Sequence, residues 1–312
     1  MSIGLKNSWP LFLGMLMLMI GNGLQGTLLG VRGGIEGFNP DIMSLVMAGY
    51  YIGILGGSKI APLMINRVGH VRVFAALASL ISACFILFPV FPSESIWFLL
   101  RVIIGFCFSG VYVVSESWLN DVSTNSNRGK ILSFYLIIQT LGIVLAQIIL
   151  NFADPNGYSL FIIASVVLSL SFTPILLSVA PAPPFDTTKP MGLRKLYETS
   201  PLGVVGLFLL GAIFGALFGM TAIFGTEIGM SVSQISLFVA LIYFGGMMFQ
   251  MPIGWISDRM DRRFLIIILS AIGAFFSILI FIINYNFVIY LIVAFLIGGM
   301  TNPLYSLFIA YT

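Results

Sequence analysis

Charge is what this chain lacks. Only 8% of its 312 residues are Asp, Glu, Lys or Arg, against 59% hydrophobic, and mean hydropathy is +1.08. A soluble domain carries about 25% charged residues. So little charge cannot cover a water-soluble fold of this length, so the bilayer is the expected solvent. The net charge of +3 is too small to point to nucleic acid, and the basic residues are scattered rather than gathered in one patch. A single histidine, His70, excludes a histidine-based metal cluster. Cys84 and Cys107 both lie in apolar runs, where packing is expected rather than a disulfide or a metal pair. There is no P-loop, which excludes ATP-driven transport by this chain alone, and no cofactor site is read. GNGLQG (Gly21 to Gly26) matches a dinucleotide fingerprint, but it lies inside an apolar run with no strand before it.

Long apolar runs are present instead. A helical span needs about 20 apolar residues, because each adds about 1.5 Å to a path of about 30 Å. Ten such runs cover roughly 9–30, 41–65, 71–92, 96–118, 131–153, 158–180, 201–223, 232–257, 264–284 and 286–312. The first is too long for a signal peptide's core and is followed by no small-residue cleavage site, so it reads as an uncleaved span. Lys and Arg alternate with the runs. One set of ends holds Lys6, Arg67, Arg72, Arg128, Lys130, Lys189, Arg194, Lys195, Arg259, Arg262 and Arg263; the opposite set holds only Arg32. By the positive-inside rule the N-terminus is expected in the cytoplasm, and the membrane is expected to be the bacterial inner (plasma) membrane. The longest link, Ala180 to Ser200, contains PAPPFDTTKP and falls after six runs. Proline cannot continue a helix. The expected domains are therefore an N-terminal six-helix bundle (1–180), a linker (181–200) and a C-terminal bundle (201–312) with four helices.

An internal repeat supports this division. At a constant offset of 192, Gly37, Ser44, Leu45, Ala48, Tyr51, Gly53 and Arg67 match Gly229, Ser236, Leu237, Ala240, Tyr243, Gly245 and Arg259. The second and eighth runs are thus equivalent, and the halves are parallel repeats, as in two-bundle transporters. Each repeat ends in charge. GWISDRMDRR (Gly254 to Arg263) holds five of the 25 charged residues, and APLMINRVGHVR (Ala61 to Arg72) is its earlier counterpart.

Gly254, Asp258, Arg259, Arg262 and Arg263 resemble the loop signature of the major facilitator superfamily. In the first copy Pro62 stands at the glycine position and Asn66 at the aspartate, while Arg67, Gly69 and Arg72 remain. Arg101-xxx-Gly105-xxx-Ser109-Gly110 is similar to the family's fourth-helix motif. SESWLND (Ser115 to Asp121) resembles a bacterial branch of uncharacterised permeases in that superfamily. The resemblance implies an all-α membrane protein of two six-helix bundles, with the first, fourth, seventh and tenth helices around a central cavity. It also implies twelve helices, whereas the chain stops at Thr312 inside the tenth. A truncated second bundle is expected on that ground.

The resemblance implies that Asn66, Arg67, Arg72, Asp258, Arg259, Arg262 and Arg263 form a cytoplasmic gate, latched by ion pairs and helix capping; the alternative is that they set topology alone. Lys59 and Glu116 read as lying at similar depth in the second and fourth runs, where they are expected to form an ion pair. That pair either couples protons or is structural; an ionised lysine at a helix centre costs roughly 2.5–3.5 kcal/mol. Arg101 is the cation of the fourth run. Asn22 and Gln25, i and i+3 in the first run, are its candidate partners, and Tyr112 follows three turns on. Asn22, Gln25, Arg101, Tyr112, Gln139, Asn302 and Tyr305 are the candidate substrate-cavity residues. Gln147, Tyr243 and Gln250 are further intramembrane polar groups, each open to a reading as a helix–helix hydrogen bond. Gly49-xxx-Gly53-xxx-Gly57 and Gly211-xxx-Gly215-xxx-Gly219 read as points of close helix approach.

The function these readings support is secondary active transport of a small organic solute, amphipathic or polar rather than highly charged. The expected partners are that solute, the lipid bilayer and protons, with a monomer as the expected state. An enzyme would need clustered carboxylates, histidines or a nucleophile with its base, and none is read. The other alternative is a non-transporting, sensor-like fragment that keeps the fold.

Overall fold

The computed structural model describes residues 8–123, 128–177, 193–282 and 286–311, and side chains within them except at 128–130, 193, 281 and 310. Lys6, Lys189, the PAPPFDTTKP stretch and Thr312 lie outside the described residues, as do the side chains of Arg128 and Lys130. The elements are α1 (Trp9–Ile35), α2 (Pro40–Val68), α3 (His70–Val90), α4 (Glu94–Asp121), α5 (Arg128–Ile149), α6 (Ser159–Ser171), α7 (Thr173–Leu176), α8 (Leu193–Thr199), α9 (Pro201–Gly219), α10 (Thr221–Glu227), α11 (Val232–Ser257), α12 (Arg262–Ile282) and α13 (Phe287–Tyr311). Among the described residues there is no strand, and ten helices are long and apolar enough to cross a membrane. They coincide with the ten apolar runs.

Local chemistry sets the helix ends. Asn39 accepts from the Asp41 amide at 2.8 Å, and Pro40 opens α2, the usual pairing of an N-cap with a proline in the first turn. Asp261 caps α12 by accepting from the Arg263 amide at 2.8 Å, and Asn286 caps α13 by accepting from Val288 at 3.1 Å. Gly37 and Gly229, 192 residues apart, both take positive φ, +73° and +77°. Only glycine adopts that conformation readily, so this turn is built the same way in both repeats.

The chain forms two compact units, Met1–Thr188 with Ala222–Val232, and Lys189–Thr221 with Ser233–Thr312. In the first unit α2 and α4 meet backbone to backbone. A methyl group on Gly53 would run into the carbonyl of Val102, and one on Gly105 into the carbonyl of Tyr50. Within the second unit α11 and α13 repeat the contact: Gly245 abuts the Phe295 carbonyl and Gly298 that of Ile242. Gly53 and Gly245 stand 192 residues apart, as do Tyr50 and Ile242; Val102 and Phe295, like Gly105 and Gly298, stand 193 apart. The internal repeat is thus a repeat of packing.

The other half of the first unit is built around α1. Gly21 lies against Leu168 of α6 and Gly23 against Ala146 of α5. At one end of α1 the Arg32 side chain is buried. It pairs with Glu36 through Nε at 2.7 Å and Nη2 at 2.6 Å. Its Nη1 donates to the Pro155 carbonyl at 3.1 Å, to Asn156 Oδ1 at 3.2 Å and to the Asn156 carbonyl. The one cation at that set of ends therefore ties α1 to the segment between α5 and α6. A correction concerns α9. A methyl on Gly211 would meet no neighbour, and α9 instead approaches α13 where Gly206 faces Phe308. Spacing alone does not say which face of a helix is covered.

These contacts predict a graded response to leucine. Gly53→Leu and Gly245→Leu put a side chain where a carbonyl sits. Each is expected to cost well above the roughly 1–3 kcal/mol of ordinary overpacking, and to abolish the monodisperse peak in fluorescence-detected size-exclusion chromatography. Gly211→Leu is expected to leave that peak and the melting temperature unchanged.

Candidate functional site

The helices of a membrane bundle normally meet through apolar side chains. In the first unit α1, α2 and α4 meet instead through a polar cluster. Asn22 Nδ2 donates to the Tyr112 hydroxyl at 3.2 Å, and that hydroxyl donates to Met19 Sδ at 3.5 Å. The Tyr50 hydroxyl hydrogen-bonds with both Tyr112 and Asn22. Arg101 lies over the Tyr50 ring, Cζ to centroid 4.9 Å, and its Nη2 donates to the Met47 carbonyl at 3.1 Å. The glycine contact explains this geometry. With Gly105 against the Tyr50 carbonyl, the Tyr50 ring falls beside Arg101, one turn back along α4.

Two groups in this region are left unsatisfied. Gln25 is fully buried, and neither its Nε2 nor its Oε1 has a hydrogen-bond partner. Arg101 is 4% exposed, and its Nε likewise has no partner. Among the described residues the ion pairs are Arg32–Glu36 and Arg194–Glu198, so Arg101 has no carboxylate. Buried polar groups without partners are uncommon and call for an explanation. The expectation that Asn22 or Gln25 partners Arg101 directly is corrected: Tyr50 stands between Arg101 and Asn22. Tyr50 is also the member that sequence reasoning missed. The signal was a lone cation in a span, which needs an aromatic face or an anion, next to the glycine-rich stretch of the second run.

The remaining candidates lie elsewhere. Gln139 is half-buried on α5 and makes no hydrogen bond to the cluster. Gln147 Nε2 donates to the Gly23 carbonyl at 3.3 Å, a tie between α5 and α1. In the second unit Asn302 donates to the Gly298 carbonyl of its own helix at 3.1 Å and packs against Gly246. Gln250 donates to Ser306 at 3.1 Å. Tyr243 stacks on Phe218, centroids 4.6 Å apart at 17°. Tyr305 is exposed.

The structure does not bring Lys59 and Glu116 into an ion pair. Gly57 abuts Phe106 and Ser109, and Ala61 neighbours Gly110, so Lys59 is level with Ser109 and Gly110. Glu116 is about two turns, roughly 10 Å, further along α4. Lys59 also lies about 200° round α2 from Gly57, away from α4, and both side chains are exposed. Counting depth from the ends of each run missed the axial offset between the helices.

The charged turns are likewise open. Asn66, Arg67, Arg72, Asp258, Arg259 and Arg263 are exposed and Arg262 is half-buried. Arg259 donates to the Trp255 carbonyl at 2.9 Å and stacks on that ring at 3.8 Å, while Arg263 lies over the Tyr311 ring at 5.2 Å. Asp258 makes no ion pair among the described residues, and the helix cap expected of it is made by Asp261. Near the first turn, His70 is buried with Nε2 2.9 Å from Ser117 Oγ and packs edge-on to Trp118. Sequence reasoning used His70 only to exclude a metal.

Comparison with known proteins matches this architecture. A family model described as the Major Facilitator Superfamily matches residues 11–312. The chain is 25% identical over 272 residues to the "Uncharacterized MFS-type transporter YfkF" of Bacillus subtilis, covering 84% of this chain and 70% of that one. It is 28% identical over 269 residues to the "Uncharacterized MFS-type transporter YcaD" of Escherichia fergusonii, covering 84% and 69%. Among solved structures, the nucleoside transporter NupG is similar in fold, with TM-score 0.75 and 13% identity over 99% of this chain and 81% of that one. A bacterial homolog of the human lysosomal transporter Spinster, inward-facing and unoccupied, gives TM-score 0.73 and 16% identity over 97% and 74%.

The cluster predicts the effect of removing one hydroxyl. Tyr112→Phe removes one of the two hydroxyls bonded to the Asn22 amide and is expected to cost about 0.5–1.5 kcal/mol, measured by reversible unfolding in mixed micelles. Gln139→Leu, which touches no member of the cluster, is expected to cost less than about 0.5 kcal/mol.

Proposed function

The chain belongs to the major facilitator superfamily, and on that premise we propose that it is a secondary transporter of a small organic solute, bound by the polar cluster of α1, α2 and α4. The observation that carries this is the pair of buried, partly unsatisfied groups Gln25 and Arg101, with the hydrogen-bonded Tyr50, Asn22 and Tyr112 on the same three helices. Polar groups held inside a membrane bundle mark solute or ion pathways. A few polar groups fixed on a mostly apolar surface also make a binding site rather than a packing site. Transport then consists of exposing this site alternately to the two sides of the membrane. The excess of Lys and Arg at one set of helix ends supports a cytoplasmic N-terminus in a bacterial inner membrane.

We place no proton coupling on a Lys59–Glu116 switch. A switch of that kind must form and break an ion pair, and the two groups are about 10 Å apart along the axis. The exposed turn charges keep the gating role as part of the proposal, with Arg263 of α12 over the Tyr311 ring of α13 as the contact that supports it.

Two outcomes are expected in proteoliposomes holding the full chain. Preloading with a panel of unlabelled organic acids, amides and polyols is expected to reveal saturable counterflow of at least one labelled counterpart. Tyr50→Ala is expected to remove it, and counterflow equal in Tyr50→Ala and the wild type would contradict the site. Glu116→Gln is expected to leave the ratio of uptake with and without an imposed pH gradient unchanged. A collapse of that ratio would restore a coupling role to Glu116.

A further inference from the structure

We infer that Arg101 is the docking point for a carboxylate or phosphate group carried by the solute. The inference rests on the transporter reading and names the chemical class of its substrate. A guanidinium offers five N–H donors in a planar fork that matches carboxylate and phosphate. Here one nitrogen, Nη2, donates to the Met47 carbonyl, and the Tyr50 ring covers a face. Nε has no acceptor, and no carboxylate among the described residues neutralises the charge. A cation buried among membrane helices needs an anion or a strong reason to be there.

Packing is not that reason. The second unit builds the same helix contact, with Gly298 against Ile242 in place of Gly105 against Tyr50. At the position equivalent to Arg101, 193 residues on, it carries Ala294, which is buried. The contact therefore forms without a cation. What the first unit adds, with Tyr50 and Arg101 where the second has Ile242 and Ala294, is a set of groups suited to an anion. The Arg101 fork donates two parallel hydrogen bonds to paired oxygens. Tyr50 and Tyr112 supply hydroxyls, and Gln25, one turn along α1 from Asn22, brings a buried amide with both ends free. The site holds one cation and no second, so it suits a singly charged group on an otherwise apolar or polar body. That is an amphipathic anion rather than a polyanion.

The test needs no knowledge of the natural solute. The full chain is purified in a nonionic detergent, and melting temperatures are recorded for wild type, R101M and R101K. Acetate, benzoate and phosphate are each compared at constant ionic strength with acetamide and benzamide. Without added anion, R101M is expected to melt at or above the wild-type temperature, because it removes an unneutralised buried charge at nearly constant volume. Saturable stabilisation by at least one anion, and by neither amide, is expected in the wild type. That response is expected to weaken in R101K and vanish in R101M. A melting temperature of R101M several degrees below wild type makes Arg101 structural and overturns the inference. So do equal responses to acids and amides, the same anion response in R101M, or no response to any of the three anions. Stabilisation by added phosphatidylglycerol alone assigns the guanidinium to a lipid headgroup and overturns the solute reading. Counterflow that persists in R101M refutes the anion site while leaving the transporter standing. Anion stabilisation without any counterflow refutes transport while leaving the site.

Discussion

The close approach of α2 and α4 is the contact on which the rest depends. Hydrocarbon supplies no hydrophobic drive between helices, so their association rests on dispersion and on how near two backbones can come. Gly53 and Gly105 remove the side chains that would hold the helices apart, and each receives a carbonyl of the other helix. The approach also sets the chemistry above it. It brings the Met47 carbonyl within 3.1 Å of Arg101 and the Tyr50 ring beneath the guanidinium. Tyr50 then passes the contact on to Asn22 of α1 and Tyr112 of α4. A packing device and a polar site are the same few residues.

The second unit separates these two roles. Its glycine contacts reproduce those of the first, register for register, but Ile242 stands for Tyr50 and Ala294 for Arg101. Tyr305 stands for Tyr112, 193 residues on, and is exposed rather than engaged in a buried cluster. The repeat thus keeps what packing needs and varies what binding needs. This asymmetry confines the charged chemistry to one unit. It also accounts for a chain with so few charges burying one, Arg101, within its fourth span.

Much of the fold was legible in the sequence, because the bilayer imposes a length that reads directly as apolar runs of about 20 residues. The repeat was legible because identical backbone constraints demand glycine at Gly37 and Gly229 and again at Gly53 and Gly245. The site was legible in part. Arg101, Asn22, Gln25 and Tyr112 stand out because polar groups in a span are rare. Tyr50 did not, because an aromatic in a span is ordinary until its neighbour is known. Lys59 and Glu116 looked like partners because sequence reports distance along each helix, not the axial offset between two helices. The partners of Arg32 were not legible either, because a chain segment more than 120 residues away supplies its carbonyls. In each failure the missing quantity was the relative placement of two helices, which a periodicity argument on one helix does not contain.

The central claim is that a buried guanidinium on α4 waits for the solute's own charge. Its most direct measurement is a cryo-electron microscopy structure of the full chain with a saturating brominated carboxylate chosen for its stabilising effect. The account predicts density for the acid with its carboxylate within hydrogen-bonding distance of Arg101, its bromine away from the guanidinium, and the Gln25 amide turned toward it. Density for the acid elsewhere, with Arg101 still held only by Met47 and Tyr50, would contradict it.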